Sequence, residues 1–285
     1  MTPPPNDAPP RIDLPPPDPY RQSGLSWGGA DPPRSSSRSE HHPAQPTDTG
    51  WFGEGFKPRT VWLGLGIALS LAFLITIGAL GILEAVKPDA SNSDELWALF
   101  LATFVIDVAA LVILPMVLLG GGRCALSRLG LRRPSGRDLS WGILGLIGAL
   151  VAIWVYIGIV ELINIEVLNP VSSIDEDEIF DSVGLVVITG ILVVLVAPVA
   201  EEIFYRGFLF AGLGKRYGFI IGVLGSAALF SAVHFDVGSL IPFALVGIVF
   251  ALIYWRSRSL NSTIIAHGLF NAIFYVAIVS DRGVG

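Results

Sequence analysis

"GLVVITGILVVLVAPVAEEIFYRGFLF", residues 184–210, is an almost unbroken apolar run that carries Glu201, Glu202 and Arg206 near its end. A helix needs about 20 apolar residues to cross a hydrocarbon core of roughly 30 Å, and this run exceeds that length. Each charge at the centre of such a helix costs roughly 2.5–3.5 kcal/mol, so three ask for roughly 8–10 kcal/mol before any pairing. Glu202 and Arg206 stand i, i+4 on one helix face and can form an ion pair. Glu201 points about 100° away and is not neutralised by that geometry. The pair therefore has a structural explanation, and the second carboxylate asks for another.

The rest of the chain agrees with a membrane setting. Of 285 residues, 52% are hydrophobic and only 15% charged, where a soluble domain carries about 25% charge. Mean hydropathy is +0.66. A net charge of −6 with no basic stripe argues against nucleic-acid binding. The single cysteine, Cys124, excludes an intramolecular disulfide framework and a multi-cysteine metal site. Residues 1–60 hold 14 of the 20 prolines, in runs such as "PPPNDAPP", with too little apolar surface to offset the entropy of folding. They are expected to form a disordered Pro-rich cytoplasmic tail, in which His41 and His42 are a solvated pair.

From Thr60 onward seven apolar spans follow, at about 61–83, 96–119, 139–163, 184–210, 219–237, 239–255 and 260–280. The expected fold is all-α, a polytopic membrane helical bundle of about seven transmembrane helices over residues 61–285. The boundary between spans five and six, near Pro242, is the least defined. Lys and Arg near the spans divide 11 to 2: Lys57, Arg59, Arg123, Arg128, Arg132, Arg133, Arg137, Lys215, Arg216, Arg256 and Arg258 against Lys87 and Arg282. The basic side is expected to be cytoplasmic, with the N-terminus inside and the C-terminus outside. Trp62, Trp97, Trp141 and Trp255 fall at span ends, as in an aromatic belt. The glycines of "GILGLIG" (142–148), with Gly78 and Gly81, are candidates for close helix contacts.

Further polar groups lie in the later spans: His234 at the end of span five, and His267 and Asn271 on one face of span seven. At 1.5 Å per residue from the cytoplasmic ends, Glu201 lies roughly 15–18 Å deep, His234 about 24 Å, His267 about 10 Å and Asn271 about 16 Å. Helix tilt covers that spread, so the four can meet in one polar pocket. Such a set can hydrolyse a peptide bond. Glu201 can act as general base on a water that His234 helps to position. His267 and Asn271 can donate to the oxyanion of a tetrahedral intermediate. No Ser or Cys nucleophile with its own base accompanies them, and no HExxH pair is present.

Three motifs then resemble one family. "EEIFYRG" is similar to the EExxxR motif of the CPBP group (CAAX protease and bacteriocin-processing, also called ABI), Phe230–His234 to its FxxxH and His267–Asn271 to its HxxxN, in the family's order. The resemblance is firm over about residues 184–280 and includes the type II CAAX prenyl endopeptidases. It implies an intramembrane peptidase with Glu201 and His234 activating water, His267 and Asn271 stabilising the oxyanion, and Glu202 and Arg206 supporting the site. The family is often labelled metallopeptidase, and Glu201, His234 and His267 can supply three zinc ligands with water as the fourth. His267 and Asn271 sharing a face favour a metal-free mechanism instead.

Each feature also has a plainer explanation. Glu202–Arg206 serves equally as a buried structural pair. His267–Asn271 alone would be helix-packing glue, and Asp107, alone in span two, is a candidate proton-relay group with the plainer reading of a partner-satisfied interior acid. Glu161 and Asn164 read as an exposed helix end. A proton- or ion-coupled transporter also uses intramembrane carboxylates and histidines, but no second repeat accompanies the set. An inactive membrane scaffold is the remaining class, against which intact Glu201 and His234 count. The expected partners are the lipid bilayer and a peptide or membrane-protein substrate, in a plasma membrane.

Overall fold

The computed structural model describes residues 58–121, 129–168, 177–180, 182–234 and 237–282. The Pro-rich tail to residue 57 lies outside the described residues, as do Arg123, Cys124, Arg128, Asp236 and part of the acidic run 174–181. Every regular element among the described residues is helical. The main helices are α1 (Pro58–Val86), α2 (Asn92–Leu118), α3 (Gly136–Ile163), α4 (Val183–Tyr217), α5 (Phe219–Ala232), α6 (Val237–Ser257) and α7 (Leu260–Asp281). All except α5 are long and apolar enough to cross a membrane. The protein is a multi-pass helical bundle, and its outer helices turn Phe73, Leu74 and Trp154 outward, as lipid-facing surfaces do.

Two span boundaries differ from expectation. α4 continues past residue 210 to Tyr217, where Lys215 and Arg216 occupy the last turn and complement the helix dipole. Gly218, at φ 90°, then ends it in a backbone conformation that only glycine adopts freely. At the loosely defined boundary near Pro242, α5 ends early at Ala232 and α6, which contains Pro242, runs for 21 residues. The 14 residues of α5 reach about 21 Å, less than a hydrocarbon core. Val233 and His234 form a turn beyond its end, so His234 sits at a helix terminus inside the bundle. Asn164 caps α3 with a left-handed φ of 52° and is exposed, as expected of a helix end.

α4 is the hub. It touches α1, α2, α5, α6 and α7, while α3 packs along α6 and α7. Residues 202–210 of α4 are buried on every side, which is how a helix at the centre of a bundle differs from an amphipathic surface helix. The close approach of α3 to α7 depends on Gly142. A Cβ there would stand 2.7 Å from Ile265 Cγ2, and one on Gly145 would stand 3.0 Å from Ala266 Cβ. Gly78 and Gly81, which carry the same sequence signal, have nothing within 4 Å.

Two helices widen into π segments, at Asp107–Ile113 in α2 and Leu192–Val196 in α4, and each segment stops just before a proline, Pro115 or Pro198. Proline has no N–H and its ring clashes with the preceding turn, so a wider turn in front of it relieves the conflict. Ala197 donates back five residues to the Leu192 carbonyl. The next donor in that pattern would be Pro198, and so the Val193 carbonyl is left without a backbone partner. A third π segment, Glu202–Phe210, follows directly.

Candidate active site

The structure brings together on one cavity four of the six side chains singled out in the sequence. Glu201 from α4, His234 from the turn after α5, and His267 and Asn271 from α7 line a cavity of about 490 Å³. The cavity continues between apolar walls that include Ile153, Ile157, Phe274 and Ile278. Glu202 and Arg206 lie behind it, at 0% and 1% exposure. The adjacent glutamates thus face different surroundings, as their helical offset requires.

Glu202 is the pivot of the buried layer. Its Oε1 accepts from Arg206 Nη1 at 2.7 Å and pairs with His267 Nδ1 at 3.0 Å. A carboxylate only accepts, so the shared proton sits on Nδ1 and fixes the orientation of the ring. His267 Nε2 then faces the cavity, 3.7 Å from Glu201 Oε2. Arg206 is held over the rings of Phe230 and Phe250, 4.6 and 5.4 Å from their centroids. Its Nη2 reaches the Gly247 carbonyl at 3.5 Å. A Cβ on Gly247 would stand 3.0 Å from Ala227 Cα, so the glycine lets α6 come this close to α5.

His234 is oriented in the same manner. Its Nδ1 lies 2.9 Å from the Phe230 carbonyl, which can only accept, so Nδ1 carries the proton and Nε2 keeps its lone pair. Phe243 stacks on the ring at 4.1 Å, and Phe230 meets it edge-on at 5.2 Å. Asn271 donates from Nδ2 to the Val193 carbonyl at 2.8 Å. That is the carbonyl left open by Pro198. The amide has a second N–H beyond this bond.

Sequence reasoning missed Phe243 and Phe250, because nothing in an apolar run marks which phenylalanine meets a histidine. Phe230 had a signal in its place in FxxxH. Asp107 differs from the partner-satisfied acid expected: it is 4% exposed, and its Oδ2 has no hydrogen-bond partner. Among the described residues, no three His, Cys, Asp or Glu side chains are grouped closely enough to hold an ion. Both imidazoles engage protein acceptors through Nδ1, which leaves Nε2 as the atom that either ring would offer to a metal or a water.

Comparisons with known proteins fall on the segment that carries these residues. The model of the family described as type II CAAX prenyl endopeptidase Rce1-like matches residues 183–273. The chain is 30% identical over 98 residues to a Bacillus subtilis (strain 168) protein described as "Putative membrane peptidase YdiL". That match spans 34% of this chain and 40% of the relative's length. No solved structure gives a significant match. Ordered motifs, a membrane-helix bundle and the family match over α4 to α7 agree on one likeness: residues 183–273 are similar to the type II CAAX prenyl endopeptidase Rce1-like family, and the chain spans less than half the length of the curated relative it matches.

Proposed function

We propose that the protein is an intramembrane endopeptidase that hydrolyses a peptide bond with a water activated by Glu201. The observation that carries this reading is the convergence of Glu201, His234, His267 and Asn271, from three separate parts of the chain, on one cavity. Four independent packing devices would have no reason to share it.

In the proposed reaction a water lies between Glu201 and His234 Nε2, the ring atom left as an acceptor. Glu201 takes one proton as the hydroxyl adds to the substrate's carbonyl carbon. The negative charge moves to the carbonyl oxygen, which the second N–H of Asn271 stabilises, and the His267 ring, held by Glu202, lines the same part of the cavity. The carbon–nitrogen bond then breaks, and Glu201 returns its proton to the leaving amine. Glu202 and Arg206 hold the His267 ring in register and do not touch the substrate.

The apolar walls beyond the polar cluster favour an apolar peptide or a membrane-protein segment as substrate. The charge asymmetry of the loops supports a cytoplasmic basic side, with the tail before α1 on that side. Glu201→Gln tests the reading: it keeps size and hydrogen bonding but cannot accept the proton. Activity falls by about 10² or more, while abundance and melting stay as in wild type. Comparing membrane proteomes of cells carrying either form identifies the substrate as the peptide terminus unique to wild type. Normal turnover by Glu201→Gln would end the assignment.

A further inference from the structure

The cavity that holds Glu201 lies unevenly between the two ends of the bundle. The basic residues fall at the start of α3, between α6 and α7, and in the last turns of α4 and α6. Counted from those ends at 1.5 Å per residue, His267 lies about 10 Å in, and Phe230, Val246 and Asn271 about 16 Å. Among the described residues none that lines the cavity lies nearer the basic end. Ile157, Ser239 and Ile278 mark its other limit, each within about two turns of the far end of its helix. The basic end is filled instead. Between it and the cavity stand Arg206, Tyr254, Leu260 and Thr263, each at most 3% exposed. The segment leading into α3 is tied across this end. The buried Leu129 accepts from Tyr254 Oη at 3.0 Å, the Gly130 carbonyl from the Leu260 N–H at 3.2 Å, and the Arg132 carbonyl from Asn261 Nδ2 at 2.7 Å. Ser262 Oγ donates to the buried Asp138 at 3.3 Å. A path opened here would break these bonds in a setting where water cannot replace them.

We infer that the substrate reaches Glu201 from the end of the bundle opposite the basic loops, past Ile157, Phe274 and Ile278. Phe274 is 38% exposed and Ile157 and Ile278 are half-buried, so this rim is open where the basic end is packed. Asn271, Phe274 and Ile278 share one face of α7, so a chain entering here slides along apolar side chains until a carbonyl meets the amide. With the basic loops cytoplasmic, the entrance is on the outer side. The substrate is then an apolar segment of a chain exposed at that face, and not a cytoplasmic chain end. This choice of substrate rests on the peptidase reading; the route does not.

Cysteine labelling tests the route without a substrate. In full-length protein carrying Cys124→Ser no native cysteine remains. Ala197→Cys and Val246→Cys are then made singly, on two walls of the cavity. Arg256→Cys and Asp281→Cys, at exposed positions on opposite ends of the bundle, mark the two faces, so the result does not depend on which face is cytoplasmic. A small membrane-impermeant thiol reagent is applied to intact cells and to opened membranes. Both wall cysteines are expected to follow the pattern of Asp281→Cys, and Thr263→Cys, in the filled end, to stay unlabelled in both. A wall cysteine that follows Arg256→Cys, or wall cysteines that label from neither side, would overturn the route. Should one wall variant fail to fold, the other decides alone. Wall cysteines that follow Asp281→Cys in a protein that cleaves nothing would retire the peptidase reading and leave the route standing. The Arg256→Cys pattern in a protein that cleaves would retire the route alone.

Discussion

Replacing Glu202 by Gln separates the buried layer from the cavity layer. The replacement keeps an oxygen for Arg206 and His267 but removes the charge. Arg206 is 1% exposed and has the Glu202 carboxylate at 2.7 Å. Water cannot take the place of the lost charge, and the faces of Phe230 and Phe250 compensate only in part. Removing one partner of a buried pair costs about 3–5 kcal/mol. At about 2–4 °C per kcal/mol for a chain of this size, that is a fall in Tm of roughly 6–20 °C. The assay is thermal unfolding of detergent-solubilised protein, followed by the loss of the monodisperse peak. Glu202→Gln with Arg206→Met removes both charges, places an apolar chain between the two rings, and should recover part of the loss. Glu202→Gln melting within about 2 °C of wild type, under 1 kcal/mol, would refute the reasoning, since a buried guanidinium without its counter-charge could not go unnoticed.

Three further outcomes follow from other parts of the molecule. Gly142→Ala drives a Cβ to 2.7 Å from Ile265 Cγ2 and should destabilise by about 1–3 kcal/mol in the same melt, whereas Gly78→Ala, in open space, should be neutral or slightly stabilising. Asn271→Leu strands the Val193 carbonyl and should lower stability by about 1–3 kcal/mol, in addition to any loss of activity. Cys124, outside the described residues, lies in the basic segment between α2 and α3; a membrane-impermeant thiol reagent should label it in opened membranes and not in intact cells, and the reverse would invert the proposed orientation.

Interactions within one helix were legible in the sequence, and those between helices were not. Glu202–Arg206 follows from a spacing of four, and the separate facing of Glu201 follows from the offset of one. The third ligand of that pair, His267, is 65 positions away and could only be inferred as sharing a pocket. The same limit explains the glycines. A small residue marks where a neighbour can come close, and whether one does, as at Gly142 and not at Gly78, depends on the partner helix. The π segments were hidden because a hydropathy pattern records apolar runs and not the width of a turn. With hindsight, Pro115 and Pro198 were their signal. The early end of α5 escaped for a related reason: Val233 and His234 continue an apolar run that the backbone does not continue as helix.

The proline-linked π segments bear on how length variation in this fold should be read. A π step spans five residues where an α step spans four, so Leu192–Val196 holds a residue that a plain α-helix would not. A one-residue gap in a membrane helix is ordinarily a sign of misalignment, because it would swing everything beyond it by about 100°. Here the widened turn can absorb that gap. A relative without a proline at the position of Pro198 is expected to lack one residue between 192 and 196, and its equivalent of Glu201 would still face the cavity. In such a relative the carbonyl matching Val193 would have its own backbone donor, and the position matching Asn271 would be released from that bond.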